Sequence, residues 1–313
     1  MGVFVYLPLV LPLTALPIAR LAEQHLHPRS ATRLLAAVGT TLALCSTVCL
    51  ALLMVVGTAQ LPGNPLPDGW ADPEVRAAVP YEERAGVVAI GVLVAVFVAC
   101  GSTVHRHVRQ RIRATRALQS LPSQPSPVAV FPDPEPYAYA LPGAPGRVVV
   151  STAMMECLTA RERRALVAHE QAHLTARHHR YLLATQLAAR ANPFLLPLRT
   201  AVAYSTERWA DEEAAQAIGD RRAVAGAVGK AALFAHRSPT APPAFAAFAA
   251  VGPIPRRVAA LLEPVPPTRL WPPSSAHVAF AGLVATVGTT VSALSSLNAT
   301  VTLVRILHEA TPL

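Results

Sequence analysis

Four stretches of the chain are apolar and free of charge. Gly2 to Ala19 is broken by Pro8, Pro12 and Pro17, Leu34 to Ala59 holds 26 residues, Ala85 to Val104 holds 20, and Val278 to Val304 holds 27. A membrane-crossing helix needs about 20 mostly apolar residues, so this pattern predicts four transmembrane helices. Between the third and fourth run the pattern changes. Ala117 to Pro145 is rich in proline and reads as an extended linker, with a glycine-bearing turn at Tyr137–Gly143. Arg147 to Thr152 carries three consecutive valines and reads as a short strand. Thr159 and Glu162 form a capping box that starts a helix near Ala160, which can run as far as Arg190. A second helix should span Leu196 to Ile218 and stop at Gly219. Asp220 can cap a third helix reaching Arg237, and Pro253 to Leu262 reads as a short helix after a second proline-rich patch, Pro239 to Pro243. No internal repeat appears.

Charge gives these runs an orientation. The segment after the third run, His105 to Arg116, holds five arginines in twelve residues, and such clusters stay on the cytoplasmic side. The loop from Gln60 to Arg84 carries Asp68, Asp72, Glu74, Glu82 and Glu83 against Arg76 and Arg84, which suits the outside. The loop from Arg20 to Arg33 carries three arginines and one glutamate, which suits the inside. All three agree with both termini outside and the segment between the last two spans in the cytoplasm. The predicted organisation is a three-helix membrane region over 1–104, a cytoplasmic domain over 105–275, a fourth span over 276–305 and a short outer tail over 306–313.

Composition supports this picture. The chain has 313 residues, 52% of them hydrophobic and only 14% charged, with a mean hydropathy of +0.38. Soluble domains carry about 25% charged residues, so a disordered chain and an ordinary soluble enzyme are both excluded. The net charge of +9 sits in residues 105–275, which hold 21 of the 27 Lys and Arg against 11 of the 18 Asp and Glu. Anionic lipid of the inner leaflet is the expected partner of this charge. Nucleic acid is not, since no groove-reading motif accompanies it. Three of the four cysteines (Cys45, Cys49, Cys100; the fourth is Cys157) lie within apolar runs, so no disulfide framework is expected.

The chemistry concentrates in His169-Glu170-Gln171-Ala172-His173, an H-E-x-x-H pentapeptide inside a predicted helix. Positions i and i+4 share a helix face, so two imidazoles can converge on one Zn²⁺. Glu170 beside them can act as general base toward a water activated by the metal. A third ligand is required, and Glu207, 34 residues after His173 on the next helix, is the candidate. Asp211, one turn further, would accept a hydrogen bond from a ligand imidazole and set its tautomer. His178 and His179 are the competing histidines. In a continuous helix His178 would lie about 140° off the face of His173, which allows it at most a supporting position. His236 and Arg221 are candidate oxyanion stabilisers, and Trp209 reads as packing.

The ordered set Tyr139-Ala-Leu-Pro-Gly143, Arg147–Thr152, His169-Glu-x-x-His173 and Glu207-x-x-Ala-Asp211-x-x-Ala214 resembles the integral-membrane zinc metallopeptidases. These include HtpX-type heat-shock proteases, zinc-dependent CAAX prenyl proteases and the BlaR/MecR antibiotic-sensor proteases. The likeness runs from about Pro136 to Leu262. The layout, with the protease domain between the third and fourth helices, looks most like the BlaR/MecR branch. Those sensors carry an extracellular penicillin-binding domain after the last helix, whereas this chain ends at Leu313, so β-lactam sensing is not expected. The family also often has Asp where this chain has His178.

The resemblance implies a mainly α, integral-membrane fold with a cytoplasmic gluzincin-type metalloprotease domain containing a short β-hairpin or edge strand. It implies one Zn²⁺ per chain and hydrolysis of peptide bonds in membrane-associated or unfolded proteins, in a regulatory or a quality-control setting. Val148, Val149 and Val150 would form the edge strand that pairs with an extended substrate. Two rivals remain, a catalytically silent zinc-binding membrane scaffold or signalling protein, and a small transporter. The spans hold no charged residue, which weighs against the transporter.

Overall fold

The computed structural model describes residues 5–59, 61, 63, 66–67, 70, 82–119, 127–143, 146–237, 253–266 and 276–309. The described chain is mainly helical with one small sheet. In chain order it comprises α1 (Leu7–Val10), a 3-10 turn (Leu11–Thr14), α2 (Ala15–His25), α3 (Pro28–Ala59), α4 (Glu82–Gln119), β1 (Val128–Phe131), β2 (Ala138–Leu141), β3 (Arg147–Ser151), α5 (Thr152–Cys157), α6 (Ala160–Thr175), α7 (His178–Ala191), α8 (Leu196–Ile218), α9 (Arg221–Arg237), α10 (Ile254–Leu262) and α11 (Ala276–Glu309). Most of the acidic loop 60–84 and all of the proline patch 239–243 lie outside the described residues.

Among the described residues, three helices are long and apolar enough to cross a membrane, over Pro28–Ala59, Ala85–Arg113 and Gly282–Glu309. The first apolar run does not form a comparable rod. Pro8 and Pro12 each sit in the first turn of a short element, and the run becomes two helices separated by a 3-10 turn. Proline lacks the N–H that would continue an α-helix through those points. The basic cluster after the third run is helical, so α4 runs unbroken for 38 residues, about 57 Å. Its close crossing with α3 depends on Gly57 and Gly86, since a Cβ on either would collide with the backbone of the other.

The sheet corrects two sequence expectations. The segment read as extended linker and turn contains both β1 and β2. The strand order is β1-β3-β2, so Val148, Val149 and Val150 lie at the centre and are not an edge. Val128 pairs with Val148 in parallel on one side, and Tyr139 pairs with Val149 in antiparallel on the other. All three valines are fully buried. Three consecutive β-branched residues without alternation mark a strand covered on both faces, which is the burial observed here. The hairpin expectation stands in part, because β2 and β3 are antiparallel neighbours.

Helix boundaries follow local chemistry. Thr159 and Glu162 make the full capping box at the start of α6. Asp220 Oδ1 accepts from the Ala223 N–H at the start of α9, 3.0 Å away. Gly219 ends α8 with φ +67°. The helix expected to continue from Ala160 toward Arg190 instead breaks. Arg177 adopts a left-handed conformation (φ +54°) between α6 and α7.

Two cores matter for the site. Ala165 of α6, Ala214 and Ala215 of α8, Val224 and Ala225 of α9 and Leu261 of α10 form one apolar cluster. A second cluster joins Ile18 of α2, Leu35, Val38 and Leu42 of α3, Ala188 of α7, and Leu198, Ala201 and Val202 of α8. Helix α8 therefore belongs to both.

Candidate metal centre

Helix α6 presents His169 and His173 on one face, with the two Nε2 atoms 3.1 Å apart. Helix α8 crosses it and brings Glu207 between them, with Oε2 3.5 Å from His169 Nε2 and Oε1 3.5 Å from His173 Nε2. One donor atom from each residue lies within 4.8 Å of the others. Two imidazoles and one carboxylate are a donor set suited to zinc, leaving a fourth tetrahedral position for water or substrate. The residues present thus fit the metal that the sequence implies.

Each of these groups is held from behind. His169 Nδ1 stands 3.0 Å from Asp211 Oδ1. Asp211 is fully buried and receives two hydrogen bonds from Arg257, Nε to Oδ2 at 2.8 Å and Nη2 to Oδ1 at 2.7 Å. Arg257 Nη1 also lies 2.9 Å from Glu207 Oε2. Burial opposes charge on Asp211 and on Glu207, but Arg257 and the imidazoles outweigh it, and both carboxyls titrate below their usual range. Burial likewise opposes charge on His169, but the two carboxylates pull its pKa well above the ordinary histidine value.

His178 does reach the site. Its Nδ1 is 2.9 Å from His173 Nδ1, and its ring lies edge-on to that of His173. The left-handed Arg177 re-aims the chain, so the 140° argument for a continuous helix does not apply. Its other face packs on Trp209 at 4.6 Å between centroids. Trp209 is buried, donates from Nε1 to Glu213 Oε1 at 3.0 Å, and receives the guanidinium groups of Arg29 and Arg33 over its ring. Burial lowers the pKa of His173 and of His178 to about 3 each, which keeps both rings neutral.

Glu170 is 4% exposed and lies in a cleft with His173 and Glu207. Burial raises its pKa to about 7, and the backbone of Ala140 opposes part of that rise by hydrogen bonding to its carboxylate. The cleft is bordered by Tyr139, Ala140 and Pro142 from β2 and the segment after it, by Leu182 of α7, and by Arg111 of α4. The strand that faces the site is thus β2, one of the two outer strands of the sheet.

Arg257 escaped the sequence reading. It follows Arg256 on a short helix after a proline-rich stretch, and nothing local separates the two. Their surroundings separate them: Arg256 lies over the Tyr204 ring and 3.2 Å from Glu23, half-exposed, while Arg257 is 3% exposed. Arg221, a candidate oxyanion stabiliser, does not reach the site. It is bound to the Glu212 carboxylate and donates to the carbonyls of Ala260 and Leu261, tying α8, α9 and α10 together. The side chain of His236 lies outside the described residues.

This geometry defines a buried His–His–carboxylate centre with an acidic group beside it, in a chain whose described residues include three membrane-length helices. The model of Peptidase family M48 matches residues 102–189, which include the strands, all of α6 and most of α7. That match supports a membrane-type zinc metallopeptidase. Glu207, Asp211 and Arg257 lie beyond the matched stretch and are joined to it by the fold. Comparison with curated proteins and with solved structures returns no match.

Proposed function

We propose that this protein is a membrane-embedded, zinc-dependent endopeptidase whose active site faces the cytoplasm. The observation that carries the reading is the convergence of His169, His173 and Glu207 on one point, with Glu170 in the adjoining cleft. His169, His173 and Glu207 hold the metal, and Asp211 and His178 orient the two imidazoles from behind. Zinc held there supplies Lewis acidity toward a water and a peptide carbonyl. Glu170, with a pKa near neutrality, takes a proton from the attacking water and returns it to the leaving amine. Its burial suits this exchange, since a carboxylate fully stabilised by solvent would be a weaker base.

Substrate enters as an extended chain against β2, where main-chain hydrogen bonds select unfolded or extended segments over folded domains. Residues 105–275 form the protease domain, both termini lie outside, and anionic lipid meets the arginine-rich end of α4. Membrane-associated proteins are the substrates that a site tethered in this way meets most often.

Glu170→Gln tests the reading. The variant should bind one zinc per chain as the wild type does and lose cleavage, and comparative membrane proteomics should show the uncut substrate accumulating. Equal proteomes with equal zinc would leave a metal-binding scaffold. Loss of zinc binding in Glu207→Ala is the second requirement.

A further inference from the structure

The α7–α8 hairpin descends beside two membrane-length helices, and its depth can be read from each of them separately. On α3, Arg29 and Arg33 meet Trp209, while Gly39 lies against Leu198. Helix α8 therefore runs opposite to α3, rising from the uncharged stretch of α3 toward the arginines at the start of that helix. Gly39 is six residues past Arg33, about 9 Å along the helix, and the Phe194 end of the hairpin lies a further turn on, near 15 Å. On α4, Arg111 and His107 lie beside His179, and Cys100 Sγ is 3.7 Å from the Leu187 carbonyl oxygen. Cys100 is four residues inside the end of the apolar run at Val104, about 6 Å, and the tip lies roughly two turns beyond Leu187, for a depth of about 16 Å, close to the first reading.

The sequence of the hairpin matches that depth. Ala191-Asn-Pro-Phe-Leu-Leu-Pro-Leu198 carries no charge and is flanked by exposed Arg190 and Arg199. Its backbone is closed internally, as hydrocarbon demands: Asn192 Oδ1 accepts from the Phe194 N–H at 3.1 Å, and the Leu195 N–H donates to the Asn192 carbonyl at 3.0 Å. Leu195 and Leu198 are buried against α2 and α3, while Phe194 and Leu196 point outward, 54% and 50% exposed. Long arginine side chains at the flanks can reach back to headgroups.

We infer that the tip of the α7–α8 hairpin, Asn192 to Leu198, is a re-entrant element that meets lipid acyl chains near the middle of the bilayer core, about 15 Å below its inner boundary. Phe194 and Leu196 contact the lipid. Glu207 lies eleven residues from Leu196, about 16 Å up α8, so this anchor fixes the metal centre at the level of the headgroups. That last consequence rests on the peptidase reading and narrows its substrates to segments presented at the inner surface, next to a membrane anchor.

Site-directed thiol labelling tests the placement on the full-length protein in phosphatidylcholine–phosphatidylglycerol nanodiscs, where an aqueous reagent reaches both faces. Phe194→Cys and Leu196→Cys are compared with Arg161→Cys, an exposed position on α6, and with Leu44→Cys, an exposed position on the apolar length of α3. A sulfonated maleimide is the probe, and mass spectrometry assigns the label so that native cysteines do not interfere. The two tip positions should react more than about tenfold slower than Arg161→Cys, as Leu44→Cys does, because a charged reagent is excluded from hydrocarbon. Full labelling after denaturation confirms a free thiol. Reaction of both tip positions at the Arg161→Cys rate overturns the inference. The two positions guard against misfolding of either variant, and zinc content and cleavage by the same samples report separately on the peptidase reading.

Discussion

The guanidinium of Arg257 grips Asp211 through two parallel hydrogen bonds, 2.7 and 2.8 Å long, and places its remaining nitrogen 2.9 Å from Glu207. Two buried carboxylates from successive turns of α8 thereby share one buried cation from α10. The planar fork of arginine fits this arrangement, and the point charge of lysine does not.

Arg257→Ala should therefore be strongly destabilising, by about 3–5 kcal/mol, because it leaves two buried acids without their counter-charge. Arg257→Lys keeps the charge but loses the fork, and should fold while binding zinc about 10–100-fold more weakly. Zinc titration and thermal unfolding in detergent measure both effects. Wild-type zinc affinity in Arg257→Lys would show that Arg257 does not position Glu207.

The break at Arg177 gives a second expectation. A left-handed residue with a Cβ costs roughly 1–2 kcal/mol relative to glycine. Arg177→Gly should leave the melting temperature unchanged or raise it, whereas Arg177→Val should lower stability by about 1 kcal/mol or more. Since the turn aims His178 at His173, Arg177→Val should also weaken zinc binding. A valine variant as stable as the glycine variant would mean that the left-handed turn is not kept in solution.

The anchor of α6 on α9 should respond to pH. Burial raises the Glu162 pKa, but hydrogen bonds from Lys230 and from the Thr159 backbone and hydroxyl outweigh it, so the folded value is below 4.5. A depressed folded pKa adds stability above the unfolded value, and that stability is lost as pH falls through the folded value. Wild type should exceed Glu162→Gln in stability at neutral pH, and the gap should narrow below about pH 4.5. Thr159→Ala should cost about 1 kcal/mol through the lost cap. A gap that widens on acidification would contradict the sign.

The sequence by itself determined what local chemistry controls. Uncharged runs of sufficient length located α3, α4 and α11, since no other structure closes the backbone hydrogen bonds of such a run in lipid. The capping box, Gly219 and Asp220 set the ends of α6, α8 and α9, because each acts on backbone groups within one turn. The i,i+4 spacing of His169 and His173, and of Glu207 and Asp211, put each pair on one face. What only the tertiary structure decided depends on contacts between distant residues. Strand order is such a property: Val148 to Val150 look the same in sequence at the edge or the centre, and pairing with both β1 and β2 places them inside. The turn at Arg177 has no glycine to announce it, so the route of His178 to His173 was hidden. Arg257 is 46 residues from Asp211, and its choice over Arg256 is made by which side of α10 the core covers. The depth of the Phe194 tip follows in the same way from how α8 packs along α3, since a short apolar turn carries no measure of its own height.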